Sequence, residues 1–252
     1  MKKAVIYTSL TGGYDNLPQY EVLDTDFDYI CFTNDYPAGA KVGQWEIRPI
    51  PIALDDKTRL SRYVKLMPHA VFPDYEYSVW LDANLVITAQ NIYDIIKQRI
   101  NHEEKWCAVK HPVLDCIYDD AHACIIGANV KFSDVAPQIK FLKQEKYPRH
   151  YGLYENNFII RNHNASIIKE IDSLWWEIYL QYSKRDQLSL CYIFWKKKFT
   201  PTLIFPPEFS TRNVTGMKYK PHLIPSIPFR IKHKMRKYYN QFKLLSNKKF
   251  DQ

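Results

Sequence analysis

YSVWLDANLVI, residues 77–87, is the stretch that decides the fold of this chain. Its first five residues form a mainly apolar run, which predicts a buried β-strand. Asp82 and Asn84 interrupt the run, and side chains at i and i+2 of an extended chain point to the same side. Ligands in open α/β sheets bind at the carboxyl ends of the strands, so the stretch predicts a strand with a binding site at its end.

Predicted strands and helices alternate on both sides of this stretch. Apolar runs predict strands at 4–9, 29–33, 45–51, 106–109, 158–160 and 202–205, with 45–51 at a sheet edge. Apolar residues at helical spacing predict helices at 58–67, 91–100, 165–183 and 186–195, and one more after Pro228. This alternation predicts an α/β layer fold with a largely parallel sheet.

Charge is unevenly distributed along the chain. The net charge is +8 over 252 residues, and ten Lys or Arg lie between residues 218 and 249 without a single acid. The body is therefore close to neutral and the tail carries the positive charge. This segregation indicates a surface-binding tail, and no nucleic-acid partner is expected.

The cysteines and the apolar runs indicate the cellular compartment in which the protein is expected. Five Cys with no CxxC pair fit a reducing cytosol better than a disulfide framework or a zinc ribbon. The apolar run near the start is too short for a signal peptide, and no run approaches the ~20 apolar residues of a membrane-spanning helix. A cytoplasmic protein is expected, peripheral on the inner face of the membrane if the basic tail binds lipid.

Asp82 and Asn84 are the first candidate ligand site. Carboxylate and amide oxygens suit a hard cation such as Mg²⁺ or Mn²⁺, which can bridge a diphosphate. The alternative is that the two residues only form a turn between strands.

Two further groups of residues could carry chemistry. Arg59, Arg62 and Lys65 on the helix at 58–67 are predicted to lie opposite its apolar face and to bind phosphate, the alternative being a solvated helix face. Asp186 and Gln187 could hold sugar hydroxyls or supply a base, the alternative being that Asp186 caps the next helix.

Polar residues also occur in apolar surroundings elsewhere. His111, Glu155 and Asn156 are predicted to line an acceptor pocket. The His/Asp mixture of residues 111–122 fits no zinc spacing, which favours a structural role. The sequence has no GxxxxGK[ST], GxGxxG or GxSxG motif, which argues against a P-loop, a Rossmann fingerprint and an α/β-hydrolase.

Six motifs follow one another along the chain: YTSLTGGYD (7–15), YICFTND (29–35), KLMPH (65–69), WLDAN (80–84), GLYENN (152–157), and WW (175–176) with RDQL (185–188). In these motifs the chain resembles a glycosyltransferase-like domain family, first catalogued as a domain of unknown function. That family includes plant mucilage- and turgor-related proteins and many bacterial surface-polysaccharide proteins. The resemblance covers roughly residues 4–200.

The resemblance implies a fold similar to that of type-A nucleotide-sugar transferases, with a mixed, mostly parallel sheet flanked by helices. It implies that Asp82 and Asn84 bind Mn²⁺ or Mg²⁺ and the donor diphosphate, with Asn84 where a second aspartate is usual. The remaining implied donor residues are Thr8, Gly12, Gly13, Thr33 and Asn34 around the nucleoside and Arg59, Arg62 and Lys65 at the phosphates. Asp186 and Gln187 would lie at the reacting sugar.

The predicted function is transfer of a hexose or similar sugar from a nucleotide-diphosphate donor to a glycan or lipid-linked acceptor in surface polysaccharide assembly. Residues 1–205 would form the catalytic domain. Residues 206–252 would form a Pro-rich, basic extension whose amphipathic helix binds an anionic membrane or packs on the body. Two rival functions stay open, a metal-dependent lipid amide hydrolase and a non-catalytic glycan-binding protein.

Overall fold

The computed structural model describes residues 3–13, 16–220 and 227–246 of the chain. These residues form two compact units. The first unit takes its residues from 1–112, 154–176 and 200–223, and the second from 113–153, 177–199 and 224–252.

The strands found in the described residues all belong to the first unit. They are β1 (Ala4–Leu10), β2 (Phe27–Thr33), β3 (Lys41–Val42), β4 (Trp45–Arg48), β5 (Tyr77–Leu81), β6 (Leu85–Ile87), β7 (Trp106–Lys110), β8 (Tyr154–Arg161), β9 (Thr202–Leu203) and β10 (Met217–Tyr219). Eight of them form one sheet in the order β3-β4-β2-β1-β5-β8-β7-β9, and β6 pairs with β10 separately. Strands β1, β2, β4 and β5 run parallel, and β8 is antiparallel to both of its neighbours.

The helices are divided between the units. They are α1 (Lys57–Leu66), α2 (Pro68–Val71), α3 (Asn91–Asn101), α4 (Ile117–Ile126), α5 (Phe132–Gln144), α6 (Ser166–Gln181), α7 (Gln187–Lys196) and α8 (Ile227–Ser246). The first unit contains α1 to α3 and most of α6, and the second contains α4, α5, α7 and α8. A mixed, mostly parallel sheet flanked by helices was predicted, and this architecture is confirmed.

The strand register explains why polar residues gather at one edge of the sheet. Leu10 pairs with Thr33 at the ends of β1 and β2, and β5 ends alongside them at Leu81. Strand β8 enters from the same side because it is antiparallel, with Phe158 opposite Leu81. We call this side, where β1, β2, β5 and β7 end and β8 begins, the carboxyl edge.

Two details differ from the sequence-based expectation. The strand at β4 is not at the sheet edge, because the short strand β3 pairs antiparallel with it and covers it. Helices α4 and α5 were not predicted, and they make up much of the second unit. Within the described ranges, none of the helices combines the length and the apolar content that crossing a membrane requires.

Candidate active site at the carboxyl edge of the sheet

The loop after β1 is shaped by two consecutive glycines. Gly12 and Gly13 have φ of +72° and +61°, a left-handed conformation that side chains other than glycine rarely adopt. The Gly13 amide donates to Asp35 Oδ2 at 3.0 Å, and the Thr11 hydroxyl donates to the Lys57 carbonyl at 3.0 Å. The loop after β1 is therefore tied both to the loop after β2 and to the start of α1.

A pocket of about 440 Å³ opens beside the end of β2. Four apolar and two polar residues line it: Ile52, Ala53, Leu54 and Leu60, with Asn34 and Asp55. The Ile50 amide donates to Asn34 Oδ1 at 3.2 Å, which fixes that side chain at the rim. A pocket with apolar walls and a few polar groups is the usual form of a small-molecule site.

Asp82 follows directly after β5 and is held from two sides. The Trp80 indole donates to Asp82 Oδ1 at 2.7 Å, and the Lys65 ammonium lies 3.4 Å from the same oxygen. The Asp82 amide donates to the Asn157 carbonyl at 2.9 Å, and the Leu85 amide donates to the Asp82 carbonyl. The carboxylate is therefore fixed at the strand end, and its side chain is still 29% exposed.

Lys65 is buried, contrary to the expectation that it lies on the exposed face of its helix. Only 2% of its side chain is accessible, and its ammonium lies 5.3 Å from the centre of the Trp80 ring. Side chains on a helix lean toward its N-terminus, which turns Lys65 back toward the carboxyl edge. The alternative of a solvated charge face is wrong for Lys65, because the charge is paired with Asp82 inside the first unit.

A buried ion pair fixes the backbone that carries Lys65. Arg161 and Asp172 have no exposed side-chain surface and lie 2.7 Å apart. Arg161 also donates to the Lys65 carbonyl at 2.5 Å and to the Tyr7 hydroxyl at 2.8 Å. Burial raises the pKa of Tyr7 to about 12, so the phenol stays protonated beside the pair.

The first residues of β8 lie beside Asp82 and bind residues from far along the chain. Glu155 accepts from the Thr211 hydroxyl at 3.0 Å and from Arg212 Nε at 3.1 Å. Asn157 donates to Thr211 Oγ1 at 2.8 Å and to the Tyr219 hydroxyl. Segment 206–220 is thereby drawn back onto the carboxyl edge.

The Asn156 side chain has no hydrogen-bond partner in the described part of the chain. It is 4% exposed, and neither its Nδ2 nor its Oδ1 is paired. The register between β7 and β8 shifts at this point, because Ala108 pairs with Ile159 whereas Val109 pairs with Glu155. Such bulges commonly redirect side chains next to active sites. An unpaired buried amide costs about 1–3 kcal/mol, so it marks a place where a polar ligand would be stabilised.

The oxygen donors of Asp82 and Asn84 fit a divalent cation that is shared with a ligand. The Lys65 ammonium and the Trp80 indole both contact Oδ1 of Asp82, and the Lys220 amide binds the Asn84 backbone carbonyl rather than its side chain. One carboxylate and one amide are too few for a cage made of protein alone. They suit Mg²⁺ or Mn²⁺, which commonly takes one or two carboxylates together with substrate phosphates and water.

The other predicted donor and acceptor residues of the first unit are also placed by the strands and α1. Thr8 is fully buried within β1, and Thr33 is buried at the end of β2, where its hydroxyl accepts from the Asp35 amide. Arg59 and Arg62 are partly exposed on α1, and the Arg59 amide is bound by the helix cap Asp56. His111 follows the last residue of β7, which places it at the carboxyl edge.

Asp186 and Gln187 belong to the second unit, at the start of α7. Asp186 occupies the N-cap position, but its side chain makes no capping hydrogen bond. Arg185 donates to Gln187 Oε1 at 3.2 Å. The role of this pair at the reacting sugar stays a prediction.

The second unit also contains a cluster of potential metal ligands. Cys116, Asp119 and His150 each place one ligand atom within 4.8 Å of the others. Two of the three already have partners, because Arg149 lies 2.5 Å from Asp119 and Asp115 lies 2.7 Å from His150. These contacts give Asp119 and His150 structural roles without a metal, so the cluster by itself does not favour the hydrolase alternative.

Several residues of the site were not predicted. Thr211, Arg212 and Tyr219 lie in a segment that was predicted to extend beyond the catalytic domain, and no local pattern signals their return to the sheet. The apolar run Ile52-Ala53-Leu54, in the loop before α1, is the sequence feature that could have indicated the pocket.

Comparison with known protein families assigns the chain to one of them. The family described as TOD1/MUCI70, glycosyltransferase-like domain, matches residues 24–214, and the chain belongs to this family. A comparison with curated proteins gives no significant match.

Two solved structures with similar folds are both glycosyltransferases. One is core-mannan synthase A from Aspergillus fumigatus in its Mn/GDP form, with a TM-score of 0.46 and 8% identity over 77% of this chain and 70% of that chain. The other is the WbbM bifunctional glycosyltransferase in its apo form, with a TM-score of 0.44 and 11% identity over 95% of this chain and 45% of that chain. At these scores the two structures say nothing about the ligands of this chain.

Proposed function

We propose that this chain transfers a sugar from a nucleotide-diphosphate donor to a hydroxyl of a glycan or lipid-linked acceptor, in surface polysaccharide assembly. The observation that carries the proposal is the pairing of Asp82 with the buried Lys65 at the carboxyl edge. An anion-binding ammonium and a cation-binding carboxylate side by side suit a diphosphate with its counterion. Membership of a glycosyltransferase-like family supports the same reaction class.

The nucleoside is proposed to bind in the pocket beside β2. Its apolar walls, Ile52 and Leu54, suit the face of a base, and the Asp55 carboxylate suits ribose hydroxyls. The loop of Gly12 and Gly13 lies next to the start of α1, where a Cβ on Gly12 would come within 3.0 Å of Lys57 Cδ. A glycine there lets a ligand approach the backbone closely.

The diphosphate is proposed to lie beside the Lys65–Asp82 pair, with Arg59 and Arg62 as further cationic groups. A cation held by Asp82 and Asn84 would neutralise charge on the departing diphosphate. Lys65, with 2% of its side chain exposed, contributes a fixed positive charge that is shielded from solvent, where electrostatic stabilisation of a leaving group is strongest. The Arg161–Asp172 pair keeps Lys65 in this position by holding its carbonyl.

The acceptor is proposed to bind along the start of β8. The unpaired amide of Asn156 offers a donor and an acceptor for sugar hydroxyls, and His111 lies at the same edge. Glu155 is bound to Arg212 and Thr211, so its proposed role is to hold segment 206–220 against the edge. A lipid-linked acceptor would bring the chain to a membrane surface.

Nucleotide binding tests the proposal directly. UDP, GDP and CDP are titrated by calorimetry into the intact chain, with Mn²⁺ and then with EDTA. We expect one nucleotide to bind with Mn²⁺ and Asp82→Asn to weaken that binding at least tenfold, because the substitution removes the anionic ligand. Mn²⁺ should then enhance binding far less in the variant than in the natural chain.

Asp26→Asn is the matched control. It makes the same charge change just before β2, at the opposite edge of the sheet, where Asp26 pairs with Lys97. We expect this variant to bind nucleotide normally. If none of the three nucleotides binds with or without Mn²⁺, or if the two variants behave alike, the proposed donor site is wrong.

A further inference from the structure

Helix α8 exposes its apolar side and packs its polar side, which is the reverse of the usual orientation. Its large apolar side chains are solvent-exposed, at 57% for Ile231, 67% for Met235, 62% for Tyr238, 67% for Phe242 and 80% for Leu245. These positions recur every three or four residues and form a single stripe along the helix. The expectation that this stripe packs on the body is therefore wrong.

The polar side of α8 contacts the rest of the second unit. Asn240 is fully buried, and its Nδ2 donates to the carbonyls of Ile125 and Val130 at 2.8 Å each. Its Oδ1 accepts from the Phe132 amide at 2.9 Å. One asparagine thus satisfies three backbone groups around α4 and α5, and it fixes which face of the helix is turned outward.

The helix is also strongly basic. Within Ile227–Ser246 there is no Asp or Glu, and the cationic residues are Arg230, Lys232, Lys234, Arg236, Lys237 and Lys243. An exposed apolar stripe flanked by lysine and arginine is the arrangement of helices that lie in the surface of an anionic bilayer. Phe229 and Tyr239 add further exposed aromatic surface on the same helix.

We propose that α8 is a membrane-docking surface, with the stripe Ile231, Met235, Tyr238, Phe242 and Leu245 inserted at the interface of an anionic bilayer and the basic residues at the lipid phosphates. The proposal does not depend on the sugar-transfer reaction. A second copy of the chain fits this face poorly, because two helices of the same strong positive charge would repel one another.

Vesicle binding by the intact chain tests the proposal. The probes are vesicles of phosphatidylcholine alone and vesicles in which about one lipid in three is the anionic phosphatidylglycerol. We expect binding to the anionic vesicles only, weakening as salt is raised. The double variant Met235→Ser/Phe242→Ser should bind at least tenfold more weakly, and Val113→Ser/Leu180→Ser, which removes two exposed apolar side chains elsewhere in the second unit, should bind normally.

A second measurement detects insertion of the stripe through a fluorescence change rather than through a loss of binding. Phe242→Trp keeps an aromatic side chain at an exposed position of the stripe. We expect its added fluorescence to shift to shorter wavelength with anionic vesicles and to be quenched by lipids with brominated acyl chains, because the ring enters the bilayer interface.

Four outcomes would overturn the proposal. They are no binding to anionic vesicles, equal binding by the Met235→Ser/Phe242→Ser variant, a dimer in solution that this variant abolishes, and salt-sensitive binding of polynucleotide instead of vesicles. Nucleotide titration of each variant separates these results from a failure of the donor site, since α8 contributes no residue to that site.

Discussion

At the scale of single residues, Lys65 carries most of the functional argument. A lysine with 2% of its side chain exposed requires a partner, and it has Asp82 at 3.4 Å and the Trp80 ring beside it. The pair places both signs of charge at one strand end. In the proposed donor site, Lys65 binds the anionic diphosphate and Asp82 binds its counterion.

Replacing Lys65 by methionine tests that division of roles. Methionine keeps the length of the side chain and removes the charge, so without metal the affinity for the best nucleoside diphosphate should fall about tenfold, the effect of losing one charge-assisted contact. Calorimetry in EDTA measures this change.

Lys3→Met is a closely matched control. Lys3 also pairs with a carboxylate, Glu76 at 3.6 Å, and lies 5.5 Å from the centre of an aromatic ring, that of Tyr77, but at the opposite end of β5. Its loss should leave nucleotide affinity unchanged. Equal losses of nucleotide affinity in the two variants would show that Lys65 acts only through the net charge of the protein and not by contact with the diphosphate.

At the scale of elements, the direction in which α8 faces depends on one side chain. Asn240→Ala would leave the carbonyls of Ile125 and Val130 and the amide of Phe132 without their partner. Each unpaired buried group costs about 1–3 kcal/mol, so the helix should dock less firmly on the second unit.

Hydrogen exchange followed by mass spectrometry measures this loosening. We expect backbone amides of α8 to exchange at least tenfold faster in Asn240→Ala. The control is Gln241→Ala, a change at the neighbouring exposed residue. Its α8 amides should exchange at the same rate as those of the natural chain. Identical exchange in both variants would mean that Asn240 does not hold the helix.

The accuracy of the sequence-based predictions also differs from element to element. Strands β1, β2, β5 and β7 were predicted because continuous apolar runs of that length fit a strand buried on both faces. Helices α4 and α5 were missed. Asp119, Asp120 and His122 interrupt the apolar pattern of α4, and Pro137 lies inside α5, where proline is normally unfavourable.

At the scale of the whole molecule, stability should depend on pH through His163. This side chain is fully buried and is bound to the Phe72 carbonyl at 2.8 Å. Burial lowers its pKa from 6.5 to about 4. Between these values the unfolded chain binds a proton that the folded chain does not, so the free energy of unfolding falls as the pH falls from 6.5 toward 4.

Urea unfolding at pH 7.5 and pH 5.0 measures the effect, with His163→Gln as the comparison. The contribution of His163 to the loss of stability at pH 5.0 should be about 2 kcal/mol. The natural chain should therefore lose about that much more than the variant between the two pH values. Parallel losses in the two proteins would contradict the lowered pKa.

Hydrogen bonds and ion pairs between segments that are distant in the chain assemble the candidate site at the carboxyl edge. Asn157 binds Thr211 and Tyr219, which come more than fifty residues later in the chain. Lys65 reaches Asp82 from a different element. Neither pairing follows from a local pattern, because polarity and spacing report which face of an element is apolar but not which distant segment covers it.

The sequence by itself determined the alternation of strands and helices, the class of fold and the position of Asp82 at a strand end. These features follow from apolar periodicity and from the rule that parallel strands end at one edge. The tertiary structure alone decided that Lys65 is buried against Asp82, that segment 206–220 returns to the sheet and that the apolar stripe of α8 faces outward. Each of these depends on which polar groups find partners from positions remote in the chain. Arg161 binds the Lys65 carbonyl, Asn157 binds Thr211 and Tyr219 of segment 206–220, and Asn240 binds backbone groups around α4 and α5.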